Sequence, residues 1–227
     1  VGSTIDARLV ASNNRRADHV HTAASIRLSK SRHSLVQPLS TETGLLMPFS
    51  IAHLDDAAQR LQQGRAQPPL PIGNLPAHLQ PQGIDDAMAI QDALHRRLVE
   101  AGYGHLVGTK IGCTTPVMQE FLGMPHPCAG GIFDSTVRFQ DGSFDFDSFL
   151  HVGVECEIAV QLGTAIGASD APHTRDSVSH AVSALFAAIE IVDDRYVDFG
   201  RRVPDSRTWV ADDFFGAGIV LGESVNT

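Results

Sequence analysis

The chain has 227 residues, of which 43% are hydrophobic, and it carries a formal net charge of −9. This length can bury a substantial core, and the acidic charge argues against nucleic-acid binding, because that affinity depends on basic surface. The three cysteines lack C-x-x-C spacing, which indicates neither a disulfide framework nor a zinc site and suits a reducing cytosol. No apolar run approaches the length of a transmembrane helix, so we expect a cytoplasmic globular protein without a membrane partner.

Residues 1–46 differ in composition from the rest of the chain. They hold six of the 17 basic residues but three of the 26 acidic ones, and they show no sustained periodicity. An Arg-rich, acid-poor start is typical of an organellar transit peptide, although Met47 equally allows upstream sequence read in frame. We favour the second interpretation, because the apolar residues form no amphipathic face. Both interpretations predict that residues 1–46 are disordered or a non-native extension.

Residues 47–105 are predicted to form a helical N-terminal segment. Apolar residues at helical spacing predict a first helix between Ser50 and Gly64, and the proline-rich stretch 68–81 should be an extended connector. Asp85 is a plausible N-cap of a second helix, whose apolar face recurs every three or four residues. The members of that face are Ala87, Ile90, Leu94, Leu98 and Ala101. His95 then lies on the solvated face and is not expected to be a ligand.

Residues 106–227 are predicted to be a β-rich core. Two short β-prone stretches, 137–139 and 144–146, flank an Asp-Gly pair, which is a strong signal for a hairpin. Apolar residues at helical spacing predict a helix over about 176–188 that leads into a strand. The apolar stretch 214–221 predicts a core strand near the end of the chain.

Glu155 and Glu157 lie in a stretch where apolar and polar residues alternate, as in a β-strand with two distinct faces. Residues two apart on a strand point the same way, so both carboxylates should project side by side. No Lys or Arg lies between Phe139 and Leu162 to neutralise them. Two like charges this close raise the pKa of one carboxylate or recruit a cation. The alternating pattern alone is equally compatible with two glutamates on a strand face that is exposed to water.

Glu190 favours the cation. It stands in the apolar run from Ala187 to Val192, where a lone carboxylate is costly unless it is paired or bound to a metal. Three acidic side chains on two core strands fit an Mg²⁺ or Mn²⁺ site, because hard cations prefer oxygen ligands.

Five motifs in the chain resemble, in order and spacing, one branch of the fumarylacetoacetate hydrolase superfamily, that of 2-keto-4-pentenoate hydratase and 4-oxalocrotonate decarboxylase. The likeness runs from about Leu54 to Gly222. Each motif is weak alone, but five in the same order are specific. The motifs are Val107–Pro116, Phe121–Gly123, Gly131–Asp134, Glu155–Glu157 and Ile189–Asp193.

The resemblance implies an α+β fold in which a mixed β-roll core, like the C-terminal domain of fumarylacetoacetate hydrolase, carries peripheral N-terminal helices. It implies a divalent metal, Mg²⁺ or Mn²⁺, held by the three glutamates. It also implies that Lys110 is an active-site lysine and that Asp134 is an acidic residue beside the site. Without the resemblance, Lys110 is most simply a surface charge.

The chain also departs from the family pattern. Many members carry an arginine just before the Glu-x-Glu strand, where this chain has Gly153, so recognition of the substrate carboxylate should differ. The family continues beyond the position of Thr227, and we therefore expect residues 106–227 to be a catalytic core that is truncated and incomplete at its C-terminus.

The function implied by the resemblance is that of a metal-dependent hydro-lyase, which adds water to a 2-keto or 2-hydroxydienoate acid in aromatic-compound catabolism. Alternatives within the superfamily are a 2-oxo acid decarboxylase and a fumarylpyruvate- or acylpyruvate-type C–C hydrolase. A further alternative is a non-catalytic partner subunit or an inactive fragment. The expected partners are a small-molecule 2-keto acid, further copies of the chain in a homo-oligomer, and a decarboxylase or hydratase subunit.

Overall fold

The computed structural model describes residues 50–226 together with the backbone of residues 4–8 and 23–26. The helices in this part of the chain are α1 (Ile51–Gln63), α2 (Ile84–Glu100), α3 (Pro116–Leu122), α4 (Arg175–Ser179) and α5 (Ser206–Ala211). The strands are β1 (Thr4–Arg8), β2 (Ala23–Ile26), β3 (Leu106–Gly112), β4 (Cys128–Phe133), β5 (Val137–Phe139), β6 (Asp141–Asp145), β7 (Val152–Leu162), β8 (Val182–Asp193) and β9 (Gly216–Asn226).

Seven of these strands form one mixed sheet in the order β4-β3-β2-β7-β8-β9-β5, and β1 pairs with β6 separately. The long strands β7, β8 and β9 are antiparallel neighbours, whereas β2 runs parallel to β7 and β5 parallel to β9. The β7–β8 register is regular from Val152 opposite Asp193 to Gln161 opposite Ala184, and a bulge follows only at Leu162. The mixed α+β class predicted from the sequence is confirmed.

Helix α2 packs on α1 and on α5. Ser50 caps α1 by accepting a hydrogen bond from the backbone of His53 at 3.2 Å, as Ser at this position commonly does. Helix α2 begins after Gly83, two residues before the predicted cap, and buries most of its predicted apolar face. The Gln91 side chain donates to the carbonyls of Ala129 and Val210, which ties α2 to β4 and α5.

An aromatic cluster fixes α5 against the loop after β8. Trp209 is fully buried and stacks on Tyr196, with their ring centroids 5.7 Å apart. Phe199 and Phe215 contact the same indole ring. This cluster holds the turn between α5 and β9, which borders the site described below.

The predicted helix over 176–188 is wrong for most of its length. Helix α4 ends at Ser179, and the chain then enters β8 at Val182. The apolar face of the predicted helix includes Val178 and Leu185, and both side chains are exposed. The buried positions of β8 include Ala184 and Ala188 instead. Pairing with β7 and β9 on both sides overrides the local helical pattern.

The predicted hairpin over 137–146 is also wrong. Strand β5 pairs with β9, and β6 pairs with β1, so the two strands belong to different sheets. The Asp-Gly pair lies inside β6, and the chain turns instead at Gln140, which has a positive φ of 66°. Each of the two strands therefore pairs with a strand that is distant in sequence, and they do not form the hairpin that the Asp-Gly pair indicates.

The strands β1 and β2 fall within residues 1–46, for which the sequence predicts disorder or a non-native extension. At 4–8 and 23–26 the backbone instead pairs with β6, and with β3 and β7. The remainder of residues 1–46 lies outside the described residues. Whether the segment is a native part of the domain stays a prediction.

Candidate metal centre

The antiparallel register of β7 and β8 brings the three predicted ligands together. Glu155 lies directly opposite Glu190, and Glu157 lies opposite the small residue Ala188. Alternation along β7 puts Glu155 and Glu157 on the same face of the sheet. One carboxylate oxygen of each glutamate lies within 4.8 Å of the others, with Glu157 and Glu190 buried and Glu155 exposed.

The electrostatics of this cluster fit a bound cation. Burial, together with the charges of Glu190 and Glu155, raises the pKa of Glu157 to about 8 against the opposing charge of Lys110. The Glu157 Oε2 atom is buried and has no hydrogen-bond partner among the described residues, which is rare for a polar atom in a folded protein. A hard divalent cation satisfies such an oxygen and offsets the mutual repulsion.

Lys110 is part of the same cluster and is not a surface charge. It lies on β3 with 5% of its surface exposed, and its ammonium group forms an ion pair with Glu190. It also donates a hydrogen bond of 2.7 Å to the backbone carbonyl of Phe214. Burial raises the pKa of Glu190, although the charge and hydrogen bond of Lys110 act in the opposite direction.

The glutamates and Lys110 open into a cavity of about 910 Å³. The segment from Ile111 to Thr115, at the end of β3, forms one part of its rim, and His151 and Asp194 form another. The remaining walls are largely apolar, and they are contributed by Val117, Met118, Leu122, Val192, Phe199, Phe214 and Phe215. A mostly apolar cavity with a few convergent polar groups is the usual form of a small-molecule site.

Asp134 does not join this group. It is exposed, begins a short 3₁₀ turn after β4, and uses Oδ1 to accept a hydrogen bond from the backbone of His105 at 3.0 Å. It is absent from the cavity lining. The structure does not bring Asp134 to the glutamate cluster, and its carboxylate closes the turn before β3. A role for Asp134 beside the site stays a prediction.

His95 was expected on a solvated face, and this expectation is wrong. Its Nε2 atom lies 2.5 Å from Asp213 Oδ1, and most of the ring is buried. The same carboxylate accepts a hydrogen bond from the backbone N–H of Gly131 at 2.8 Å. Burial alone would raise the pKa of Asp213, but its hydrogen bond to His95 and the charges of His95 and Arg65 lower it.

Asp212, the neighbour of Asp213, is fully buried in a second ionic cluster. It forms ion pairs with Arg65, which follows α1, and with Arg195, which follows β8. The Tyr196 hydroxyl donates to it at 3.3 Å. Sequence reasoning missed both aspartates, although two adjacent acids between the apolar runs 209–211 and 214–221 carry the same signal that identified Glu190.

The chain is similar to several hydratases and to a decarboxylase. It is 34% identical over 171 residues to the 2-keto-4-pentenoate hydratase of Paraburkholderia xenovorans (strain LB400), which covers 75% of this chain and 61% of that protein. It is 30% identical over 139 residues to the 4-oxalocrotonate decarboxylase of Pseudomonas sp, covering 61% of this chain and 52% of the relative. No protein-family model matches the chain.

The fold resembles that of the 4-oxalocrotonate decarboxylase from Pseudomonas putida G7, solved in complex with magnesium and adipate. The TM-score is 0.65 at 20% sequence identity, over 78% of this chain and 65% of that one. The resemblance to the hydratase and decarboxylase branch of the fumarylacetoacetate hydrolase superfamily, indicated by the motifs, is confirmed by these relatives. The chain spans 61% of the length of the first hydratases that it matches. Among the described residues, none of the helices could span a membrane.

Proposed function

We propose that the chain carries the metal-binding part of a hydro-lyase that adds water to a 2-hydroxydienoate or the corresponding 2-keto acid. The observation that supports this proposal most directly is the cluster of Glu155, Glu157 and Glu190 beside Lys110, at the wall of an apolar cavity. The similarity to hydratases supports the choice of reaction. In this proposal the sheet is the core of a β-roll of the fumarylacetoacetate hydrolase type.

The three glutamates would hold a divalent cation, Mg²⁺ or Mn²⁺, through carboxylate oxygens. When bound, such a cation supplies a Lewis acid that stabilises negative charge on the oxygens of a 2-keto acid. Glu157 provides the unpartnered buried oxygen, whereas Glu155, which is exposed, lies nearest to solvent. Because Glu190 also pairs with Lys110, the lysine balances part of the negative charge of the cluster.

Lys110 would hold or move a proton at its Nζ atom. An ammonium group has three N–H donors, and Glu190 and the Phe214 carbonyl take two of them. The third has no acceptor among the residues that the structure describes, and it would contact a substrate oxygen or the water that adds across the conjugated double bond. The apolar walls formed by Phe199, Phe214 and Phe215 lower the local polarity, which strengthens these polar contacts. Asp134 has no role in this proposal.

The cavity lining favours a monocarboxylate over a dicarboxylate substrate. Among the described residues that line it, Lys110 and His151 are the ones that can carry positive charge. Lys110 already pairs with Glu190, so a second substrate carboxylate, as in 4-oxalocrotonate, would meet His151 alone. The short apolar tail of 2-hydroxypenta-2,4-dienoate fits the remaining walls without any charged partner. Hydration therefore accounts for the site better than decarboxylation does.

We further propose that the protein acts in the cytoplasm as a homo-oligomer, in the breakdown of aromatic compounds. A decarboxylase or hydratase subunit would be a natural partner, because the relatives include both activities. Size-exclusion chromatography with light scattering tests the oligomer, and co-purification tests the mixed assembly.

The test of the function is turnover of 2-hydroxypenta-2,4-dienoate with added Mg²⁺ or Mn²⁺, followed by loss of its ultraviolet absorbance. Glu155→Gln should abolish turnover, whereas Glu223→Gln, on an exposed part of β9, is the matched control and should leave turnover unchanged. Product analysis separates the alternatives, which would release CO₂ or two cleaved acids. Turnover by Glu155→Gln equal to that of the unaltered protein would contradict the proposal.

A further inference from the structure

The turn between α5 and β9 has an unusual backbone. Asp213, Phe214 and Phe215 have φ values of 60°, 46° and 68°, so three consecutive residues that are not glycine adopt the left-handed conformation. This conformation is unfavourable for L-residues, and most of all for bulky ones. Strained segments of this kind persist only where the surrounding structure holds them, and they concentrate at functional sites.

The Asp213 carboxylate is the main anchor of this turn. It is 2% exposed and receives hydrogen bonds from the backbone of Gly131 at 2.8 Å and from His95 at 2.5 Å, while Arg65 lies 3.6 Å from its second oxygen. The Asp213 backbone is held equally closely. A Cβ atom at Gly130 would come within 2.7 Å of the Asp213 carbonyl oxygen, so glycine there lets β4 approach the turn.

The turn supplies a hydrogen-bond acceptor to the proposed active site. The Phe214 carbonyl accepts the 2.7 Å hydrogen bond from Lys110 Nζ, and the Phe214 ring lies below the same ammonium group, 5.9 Å from ring centroid to Nζ. With Glu190 as the other acceptor, two fixed partners determine the direction of the third N–H of Lys110. A change in the turn would therefore redirect the N–H that is available to a substrate.

We propose that Asp213 is a positioning residue for Lys110, which it controls through the Phe214 carbonyl, and that His95 and the Gly131 backbone hold Asp213 for this purpose. The inference rests on the function proposed above. Asp213 itself is absent from the lining of the large cavity, whereas Phe214 and Lys110 belong to it, so its effect on a substrate is indirect. The metal ligands lie on β7 and β8, whose pairing with each other aligns them, and the turn meets β8 beyond Glu190, where the Phe215 carbonyl accepts a hydrogen bond from the Asp193 N–H at 3.0 Å.

The first test compares Asp213→Ala with Asp213→Asn. Alanine removes the anchor, and we expect kcat to fall by about 10- to 100-fold, since a misplacement of about 1 Å costs up to ~10²-fold. KM and the affinity for Mn²⁺, measured by calorimetry, should stay unchanged. Asparagine keeps an oxygen for Gly131 and His95 and should restore most of kcat. Asp92→Ala, an exposed acid on α2, is the control. If Mn²⁺ affinity falls together with kcat, or asparagine rescues nothing, Asp213 is merely structural and the proposal is wrong.

The second test asks whether Asp213 acts through Lys110. In a Lys110→Met background, the further change Asp213→Ala should lower the residual kcat by less than about 2-fold, because the group that it positions is gone. A full additional loss would overturn the proposal. His95→Ala removes one hydrogen bond from the same carboxylate and provides a milder variant if Asp213→Ala does not fold. It should lower kcat with KM unchanged, and a rise in KM alone would contradict the inference.

A readout without turnover separates this inference from the proposed function. The urea midpoints of Asp213→Ala, Lys110→Met and the double variant should not add, because both changes act on the Phe214 turn. If the unaltered protein binds no Mn²⁺ and turns over no dienoate, the proposed function fails, whereas non-additive midpoints would still support the coupling. Additive midpoints in a protein that does turn over would refute the coupling alone.

Discussion

Two groups of acids lie close together in this fold, both of them largely buried, and they are neutralised in different ways. Asp212 and Asp213 are surrounded by partners from the chain itself, namely Arg65, Arg195 and His95. In the part of the chain that the structure describes, the cluster of Glu155, Glu157 and Glu190 has one cation, Lys110, and Glu157 Oε2 has no partner. Buried charge that the chain neutralises holds neighbouring segments in place, whereas buried charge that it leaves unbalanced indicates a place for a ligand.

The largest effect on stability is expected from breaking the neutralised group. Asp212→Ala leaves Arg65 and Arg195 buried without their carboxylate, and loss of one partner of a buried pair costs about 3–5 kcal/mol. Urea unfolding measures this loss. Asp198→Ala removes an ion pair with the exposed Arg201 and is the control, with an expected cost of about 1 kcal/mol or less. If both variants lost a similar free energy of unfolding, burial of the ion pair would not determine how much its loss destabilises the protein.

The glutamate cluster should behave differently when a metal is added. Mn²⁺ at about 100 times its dissociation constant should raise the free energy of unfolding by about 2.7 kcal/mol, because it binds the folded state alone. EDTA should reverse the gain. Glu157→Gln should abolish it, since this change removes an anionic oxygen from the cluster. Thermal unfolding with and without Mn²⁺ measures the effect, and an equal gain in Glu157→Gln would place the metal elsewhere.

The metal-free protein should lose stability as the pH rises. The folded-state pKa of Glu157 is about 8, against 4.5 for the free side chain, so between these values the folded state binds more protons than the unfolded state. The free energy of unfolding of the metal-free protein therefore falls from pH 4.5 towards pH 8. Each pKa unit by which folding raises the pKa of Glu157 contributes about 1.4 kcal/mol to this fall. Glu157→Gln should flatten this part of the profile. A profile that is the same in both proteins would contradict the assignment.

Glu155→Gln is expected to have the smallest effect on the metal-free protein. Its side chain is exposed, so the change should alter the free energy of unfolding by less than about 0.5 kcal/mol. The same substitution should nevertheless remove the stabilisation by Mn²⁺, because it deletes one of the three ligands. Urea unfolding in EDTA and in Mn²⁺ separates the two results. Destabilisation in EDTA as large as that in Mn²⁺ would make Glu155 a structural residue.

The sequence carried enough information to predict that the three glutamates lie together, because its signals are local. Alternation placed Glu155 and Glu157 on one face, and an acid within an apolar run identified Glu190. Lys110 depended on the family resemblance, because nothing in β3 shows that its side chain is buried. The contact of His95 with Asp213 joins positions 118 residues apart, and no local pattern indicates it. The helix expected over 176–188 failed for a similar reason, since the pairing of β8 with β7 and β9 decided its conformation.

The regular pairing of β7 with β8 also determines where the chain can change in length. A shift by one residue would turn Glu155 and Glu157 to the opposite face of the sheet, so neither strand tolerates an insertion next to the glutamates. The connection between the strands, residues 163–181, leaves the ladder at the far end, beyond the bulge at Leu162. Natural insertions or deletions, or a peptide tag, should be tolerated within residues 163–181. The β7–β8 hydrogen bonds keep the glutamates aligned whatever the length of this loop.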